Sequence, residues 1–244
     1  MAVPTTLAEA IEQAKSSTEA AIASGSGRWL IEIVVPEIAL EAQSLTWEFT
    51  QLFEHLGAGL KVLFCDTGAA ALARRDWGET NFRINDLGSR FTPVSEKISP
   101  EDEAYLVVAP SAVEVKFVEE LCNLAGDRPV FLLIPQLEDV SIVGIGYAAR
   151  QIRDRFLSTL QTCYYFRPLE GAAVLKTPDT NWQVWMAKDN NYELIAEPKQ
   201  KPMGEVLERL LLAENESKTD ASSTPAKKLG ILSGMKRFLR ALNQ

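Results

Sequence analysis

The sequence predicts an α/β fold in three layers: a mostly parallel sheet, helices on both of its faces, and an antiparallel meander at one edge. Short runs that are nearly all apolar recur at residues 29–35 (WLIEIVV), 61–65, 105–109, 130–135 (VFLLIP) and 163–166. Each is bounded by turn formers, the pattern of strands buried on two faces. Segments of helical periodicity separate them, which is how parallel strands are joined. Residues 173–175, 182–187 and 192–196 instead alternate, with Asp189-Asn190-Asn191 as a turn, and read as an antiparallel meander at the sheet edge.

The elements follow in order. Residues 5–24 make a helix with Leu7, Ile11 and Ala14 on one face, ended by Gly25-Ser26-Gly27. The strand at 29–35 stops at Pro36. Residues 37–56 carry Ile38, Leu45, Phe49, Leu52, Phe53 and Leu56 near helical spacing, with Gly57 as the stop. The strand at 61–65 ends in Asp66-Thr67-Gly68, and a short helix follows at 69–75. Residues 78–100 are a polar loop with one short strand at 82–84. The strand at 105–109 ends in Pro110-Ser111, and residues 112–124 are amphipathic, with Val113, Phe117, Leu121 and Leu124 on one stripe.

The centre of the chain is the run from Asp127 to Pro168. Here a strand at 130–135, a glycine pair, a helix and a second strand at 163–166 form a unit that is usually a right-handed crossover. After the meander comes a helix at 202–212. The expected domains are residues 1–212 as the α/β body, 213–225 (with ENESKTDASSTP) as a flexible polar linker unable to bury enough to fold, and 226–244 as a basic amphipathic helix.

Composition bounds the function. With 46% apolar residues in 244, the chain can bury one sizeable core. No run approaches the roughly 20 apolar residues that span a bilayer, and the N-terminus reads as neither a secretory signal nor a transit peptide. A soluble, cytoplasmic protein is expected. Cys65, Cys122 and Cys163 are far apart, each in an apolar run, and read as buried thiols rather than metal ligands or a disulfide. The net charge of −8 divides into +5 on residues 226–244 (Lys227, Lys228, Lys236, Arg237, Arg240) and −13 on residues 1–225. So acidic a body repels nucleic-acid phosphates.

Catalytic motifs are sparse. Walker, HExxH and GxSxG patterns are absent, and the one histidine, His55, has no metal-ligand companion. Neither a catalytic residue, a metal nor a cofactor is assigned, and an enzyme is not the expected class. Ligands of parallel sheets lie at the carboxyl ends of the strands, where Pro36, Asp66, Thr67, Ser111, Gln136 and Arg167 would gather. Asp66-Thr67-Gly68 resembles one half of an aspartic-protease pair without its mate, and Asp66 reads first as a helix cap. Gly144-Ile145-Gly146-Tyr147-Ala148-Ala149 fits a loose dinucleotide pattern, but eight residues separate it from its strand and it lies in the fourth unit rather than the first. Gly144 and Gly146 with Arg150 and Arg153 make an anion crevice the alternative, against a close-packed loop whose arginines pair with Asp139 or Asp154.

The tail carries the best-defined signal. Ile231, Leu232, Met235, Phe238, Leu239 and Leu242 form one stripe, while Lys236, Arg237 and Arg240 lie off it. That is the pattern of a helix that lies on an anionic membrane or an acidic partner, or one that folds back onto its own body.

The blocks RWLIEIVVPE, KVLFCDTGAAALARRDWG, AYLVVAPSAVEV, GDRPVFLLIPQLEDVSIVGIGYAARQIRDRFLSTLQTCYYFRPL and NWQVWMAKDNNYELIAE, in this order, resemble the DUF1995 family of cyanobacteria and plastids. The resemblance spans about residues 5–212. It implies a protein-contact module, since plant members of the low-photosystem-II-accumulation type are implicated in photosystem II assembly at the thylakoid and the domain also occurs fused to an adenylate kinase. It further implies a cyanobacterial member, a photosystem subunit or assembly intermediate as the protein partner, and peripheral association with the thylakoid membrane through the tail.

Overall fold

The structure, a computed structural model, describes residues 2–89, 91–137, 147–189 and 191–219, with the side chains of 147–149 and 214–219 outside the description. It is a mixed α/β fold whose nine-stranded sheet has the order β3-β2-β4-β5-β1-β6-β7-β8-β9. The described residues fall in two compact units: one within Lys15–Glu32 and Glu37–Cys163, the other within residues up to Ala14, Ile33–Pro36 and those from Tyr164 to Thr219.

In the larger unit, β1 (Arg28–Ile33), β2 (Leu60–Phe64), β3 (Arg83–Asp86), β4 (Ala104–Val108) and β5 (Val130–Leu133) pair in parallel. Every residue of β2, β4 and β5 is buried, which is why these strands read as unbroken apolar runs. Successive side chains leave a strand on opposite faces. On one face Leu63, Tyr105, Val107, Val130 and Leu132 pack with Val118, Leu121, Cys122 and Phe156. The first three of those partners lie on α4 (Val115–Ala125). On the other face Phe131 meets Phe53 edge-on at 5.1 Å, and Phe64 meets Trp77 at 5.9 Å. Trp77 ends α3 (Thr67–Trp77), and Phe53 lies in a 3-10 segment, Gln51–Gly59. Helical layers thus cover both faces, as expected. Each such side chain contributes about 1.5–3 kcal/mol on burial.

Three expected elements differ. The helix at 37–56 is a 3-10 turn (Ile38–Glu41), α2 (Ala42–Thr50) and the 3-10 segment. Glu37 in a left-handed conformation (φ 62°) and Phe53 at φ −108° interrupt it. Val113 does not join the apolar stripe of α4, which starts two residues later, and it is 80% exposed. The helix expected at 202–212 is α6, Gly204–Thr219, after α1 (Leu7–Ala23) and α5 (Tyr147–Arg155). An established helix gains one hydrogen bond per added residue and needs no burial to continue.

In the smaller unit, β6 (Gln161–Leu169), β7 (Ala172–Lys176), β8 (Gln183–Lys188) and β9 (Asn191–Ala196) form the antiparallel meander. Tyr165, Val174, Trp182 and Val184 pack against Leu207, with Leu210 and Leu211 beside them. The Lys201 ammonium sits 4.2 Å from the Tyr165 ring centre, a cation–π contact.

Candidate functional site

The carboxyl ends of the central parallel strands carry the most distinctive backbone in the molecule. Leu133 pairs with Val108, so Ala109-Pro110-Ser111 and Ile134-Pro135-Gln136 leave the sheet side by side, and Ser111 bridges Gln136. Ala109 has φ 49° and Ile134 φ 46°. Left-handed backbone is uncommon for any residue with a Cβ and a genuine outlier for a β-branched one, and each precedes a proline, which narrows its choices further. Such strain, about 1–3 kcal/mol per residue, persists only where the surroundings over-determine it. They do so here: Ala109 N–H donates to the Leu133 carbonyl (2.9 Å), Ile134 N–H to Ile31 (2.7 Å) and Gln136 N–H to Pro110 (2.7 Å).

Of the expected crevice residues, Ser111 and Gln136 are brought together here. Asp66 caps α3, its Oδ1 accepting from Ala69 N–H at 2.8 Å. A side chain at Gly68 would crowd that oxygen, its Cβ 3.0 Å away. Thr67 is exposed in the first turn of α3. Ser111 donates to Glu114 Oε2 through both its N–H (2.9 Å) and its hydroxyl (2.6 Å), and its Oγ accepts from Val113 N–H (3.2 Å). These polar groups are engaged in starting helices. Arg150 and Arg153 are exposed on α5, while Pro36 and Arg167 belong to the smaller unit. Gly144, Gly146, Asp139 and the tail residues Ile231, Leu232, Met235, Lys236, Arg237, Phe238, Leu239, Arg240 and Leu242 lie outside the described residues.

Sequence reasoning missed Cys65 and Glu114 as neighbours of this edge. The Cys65 thiol donates to the Val108 carbonyl at 3.3 Å. Burial first, then the charges of Glu114 and Asp66, push its pKa up to about 12. A thiol so held is not a nucleophile at neutral pH. Also missed was the bidentate pair in which Arg155 Nε and Nη2 donate to Glu119 at 2.7 and 2.9 Å, joining α5 to α4.

The amino ends of β2 and β4 are tied by charge. Lys61 Nζ lies 2.8 Å from Asp102 Oδ2 and donates to the Lys97 carbonyl at 2.7 Å. Asp102 Oδ2 also accepts from Ser99 N–H (2.7 Å) and Tyr105 Oη (3.3 Å). Arg83 Nη1 stands 3.3 Å from Oδ1, an ion pair without hydrogen-bond geometry. Burial and then the Asp102 charge push the Tyr105 phenol up to about 12. A hollow of about 510 Å³ beside these ends is lined by His55, Glu103, Asp127 and Arg128. The Arg128 guanidinium donates to the carbonyls of Leu124, Ala125, Ser99 and Asp102, so its charge acts as a staple rather than a ligand grip.

The three most exposed large apolar side chains among the described residues follow parallel strands. Leu40 (78% exposed), Phe91 (81%) and Val113 (80%) stand on the segments that follow β1, β3 and β4. Leu40 also borders an open groove of about 670 Å³ with Gln43, Ser44, Trp47, Glu48, Asp76 and Trp77. Among the described residues no helix is long and apolar enough to cross a membrane.

A family model described as a domain of unknown function, DUF1995, matches residues 4–209. Both the strained strand ends and the apolar surface fall inside that match, and by it the chain belongs to the DUF1995 family.

Proposed function

We propose that the protein is a non-enzymatic assembly or interaction factor that docks a protein partner. One observation carries this reading. Asp66 and Ser111 at the strand ends are engaged in internal hydrogen bonds, while Leu40, Phe91 and Val113 are exposed on three segments that follow parallel strands. Contiguous exposed apolar surface marks contact sites, and these three side chains are the most exposed of the large apolar residues among those described. Following the resemblance in the strand and helix blocks, the partner is a photosystem II subunit or assembly intermediate in a cyanobacterium. The basic amphipathic segment at 226–244 contacts the thylakoid membrane or that partner, each cation adding on the order of 1 kcal/mol near anionic lipid.

The test is capture from detergent-solubilised thylakoids by full-length protein and by a Leu40→Ser, Phe91→Ser, Val113→Ser variant, with mass spectrometry of what is retained. A photosystem II component held by the first and lost by the second is expected; equal capture by both overturns the docking role. Flotation with anionic liposomes, with and without residues 226–244, tests the tail, and equal flotation removes it from membrane recruitment.

The paired left-handed residues Ala109 and Ile134 favour a second reading, a phosphorylated small molecule held at the strand ends by Ser111, Gln136, Asp66 and Arg150. Calorimetric titration with inorganic phosphate and with nucleoside phosphates separates the two. Saturable binding lost in Ser111→Ala supports the ligand site, and no heat with any of them dismisses it.

A further inference from the structure

Leu40, Gln43, Ser44, Trp47 and Glu48 follow one another at intervals of three, one, three and one, a single outward face that begins in the 3-10 turn and continues along α2. The opposite face buries Leu45, Thr46, Phe49 and Thr50. Trp47 is 41% exposed, yet its ring is fixed against Trp77 (5.4 Å between centroids) and Phe82 (6.3 Å). A large ring that is half in water and already immobilised loses little entropy on further contact. Leu40 and Trp47 stand seven residues apart, the spacing of anchors that receive the apolar stripe of a second helix.

The rim has a sign. Glu48 and Asp76 line the groove, and Glu41 adjoins it through its hydrogen bond from the Ser44 hydroxyl (2.9 Å). Among the described residues, two cations stand beside this charge. Arg75 pairs with Asp76 Oδ1 at 2.6 Å, leaving Oδ2 to Gln43 at 3.0 Å, and Lys15 comes no closer to Glu48 than 3.8 Å. Carboxylates beside an exposed indole favour a cation twice: by Coulomb attraction, and by the ring quadrupole. An anionic segment meets repulsion from both.

We propose that this groove receives a cationic amphipathic helix of the partner protein, its apolar stripe on Leu40 and Trp47 and a Lys or Arg among Glu41, Glu48 and Asp76. This rests on the docking role proposed above and adds the chemistry of the partner's contacting segment.

The probes are two fluorescein-labelled 18-residue amphipathic peptides, one of Leu and Lys and one of Leu and Glu, titrated by anisotropy into the full-length protein. The Lys peptide is expected to bind at least tenfold more tightly than the Glu peptide. Trp47→Ala should weaken it about tenfold, Trp47→Phe much less, and Glu48→Gln with Asp76→Asn should narrow the gap between the peptides. Near-UV circular dichroism establishes that each variant is folded. Failure of the Lys peptide to bind, equal affinity for both peptides, or indifference to Trp47→Ala overturns the proposal. Equal affinity combined with loss of thylakoid capture in the Leu40, Phe91, Val113 variant overturns the cationic preference alone, whereas unchanged capture removes the docking role itself.

Discussion

Lys61 and Asp102, the former near the start of β2 and the latter two residues before β4, form an ion pair of 2.8 Å with side chains 4% and 0% exposed. Their value lies in mutual dependence. Removing one partner of a buried pair leaves an uncompensated charge and costs about 3–5 kcal/mol. Asp102→Ala is therefore expected to lower unfolding free energy by that amount in urea titration, whereas Lys61→Met with Asp102→Leu recovers most of the loss. A double variant no more stable than Asp102→Ala contradicts this.

The twin strand ends separate strain from packing. Ala109→Gly relieves a left-handed Cβ worth about 1–2 kcal/mol and adds unfolded-state freedom worth about 0.4–1 kcal/mol, so stability should stay the same or rise by up to about 1.6 kcal/mol. Ile134 is 2% exposed. Ile134→Gly removes a buried side chain as well and should cost about 2–5 kcal/mol. Thermal unfolding of the two variants side by side checks the contrast.

Alkaline pH should destabilise the fold. Burial, aided by Glu114 and Asp66, raises the Cys65 thiol from its ordinary 9.0 to about 12. Burial first also raises Cys122 to about 12, and burial with the Asp102 charge raises Tyr105 from 10.0 to about 12. Between pH 9 and 12 the unfolded chain has lost protons that the folded chain retains, so stability is full below pH 9 and falls as pH climbs. Each group contributes a slope of up to about 1.4 kcal/mol per pH unit. Urea midpoints measured from pH 8 to 11 should fall steadily, and the thiols should resist a disulfide reagent at pH 8 until denaturant is added. Fast native labelling of Cys65 would contradict its protonated state.

Asp66 offers a cleaner surface test. Replacing it by Ala removes the acceptor for Ala69 N–H and should cost about 0.5–2 kcal/mol, with Asp66→Ser near the original. If Asp66→Ser is as damaging as Asp66→Ala, the carboxylate does something other than cap.

The fold was legible because burial leaves a compositional trace. Strands covered on both faces are apolar throughout, as in 105–109 and 130–135, and within the meander β8 alternates between buried and partly exposed positions while β7 is buried almost throughout. Asp66 as a cap was legible for a similar reason, a short acceptor placed just before a helix. Ser111 and Glu114 stand at the spacing that marks a capping box, a signal present in the sequence but not used. Lys61 and Asp102 left no such trace. Forty residues lie between them, and a lysine near a strand end looks like a boundary. Pro110 and Pro135 announced where two strands stop, not that Ala109 and Ile134 turn left-handed. Trp47 and Leu40 were hidden by the strong apolar face of α2 opposite them.

The outermost parallel strand, β3, is only four residues long, and its terminal side chains are both tethered: Arg83 to the Ala58 carbonyl at 2.9 Å and Asp86 to Lys97 at 3.0 Å. A margin so brief and so charged is a poor template for another chain's backbone. At this margin, backbone pairing between crowded copies of the protein is thereby disfavoured.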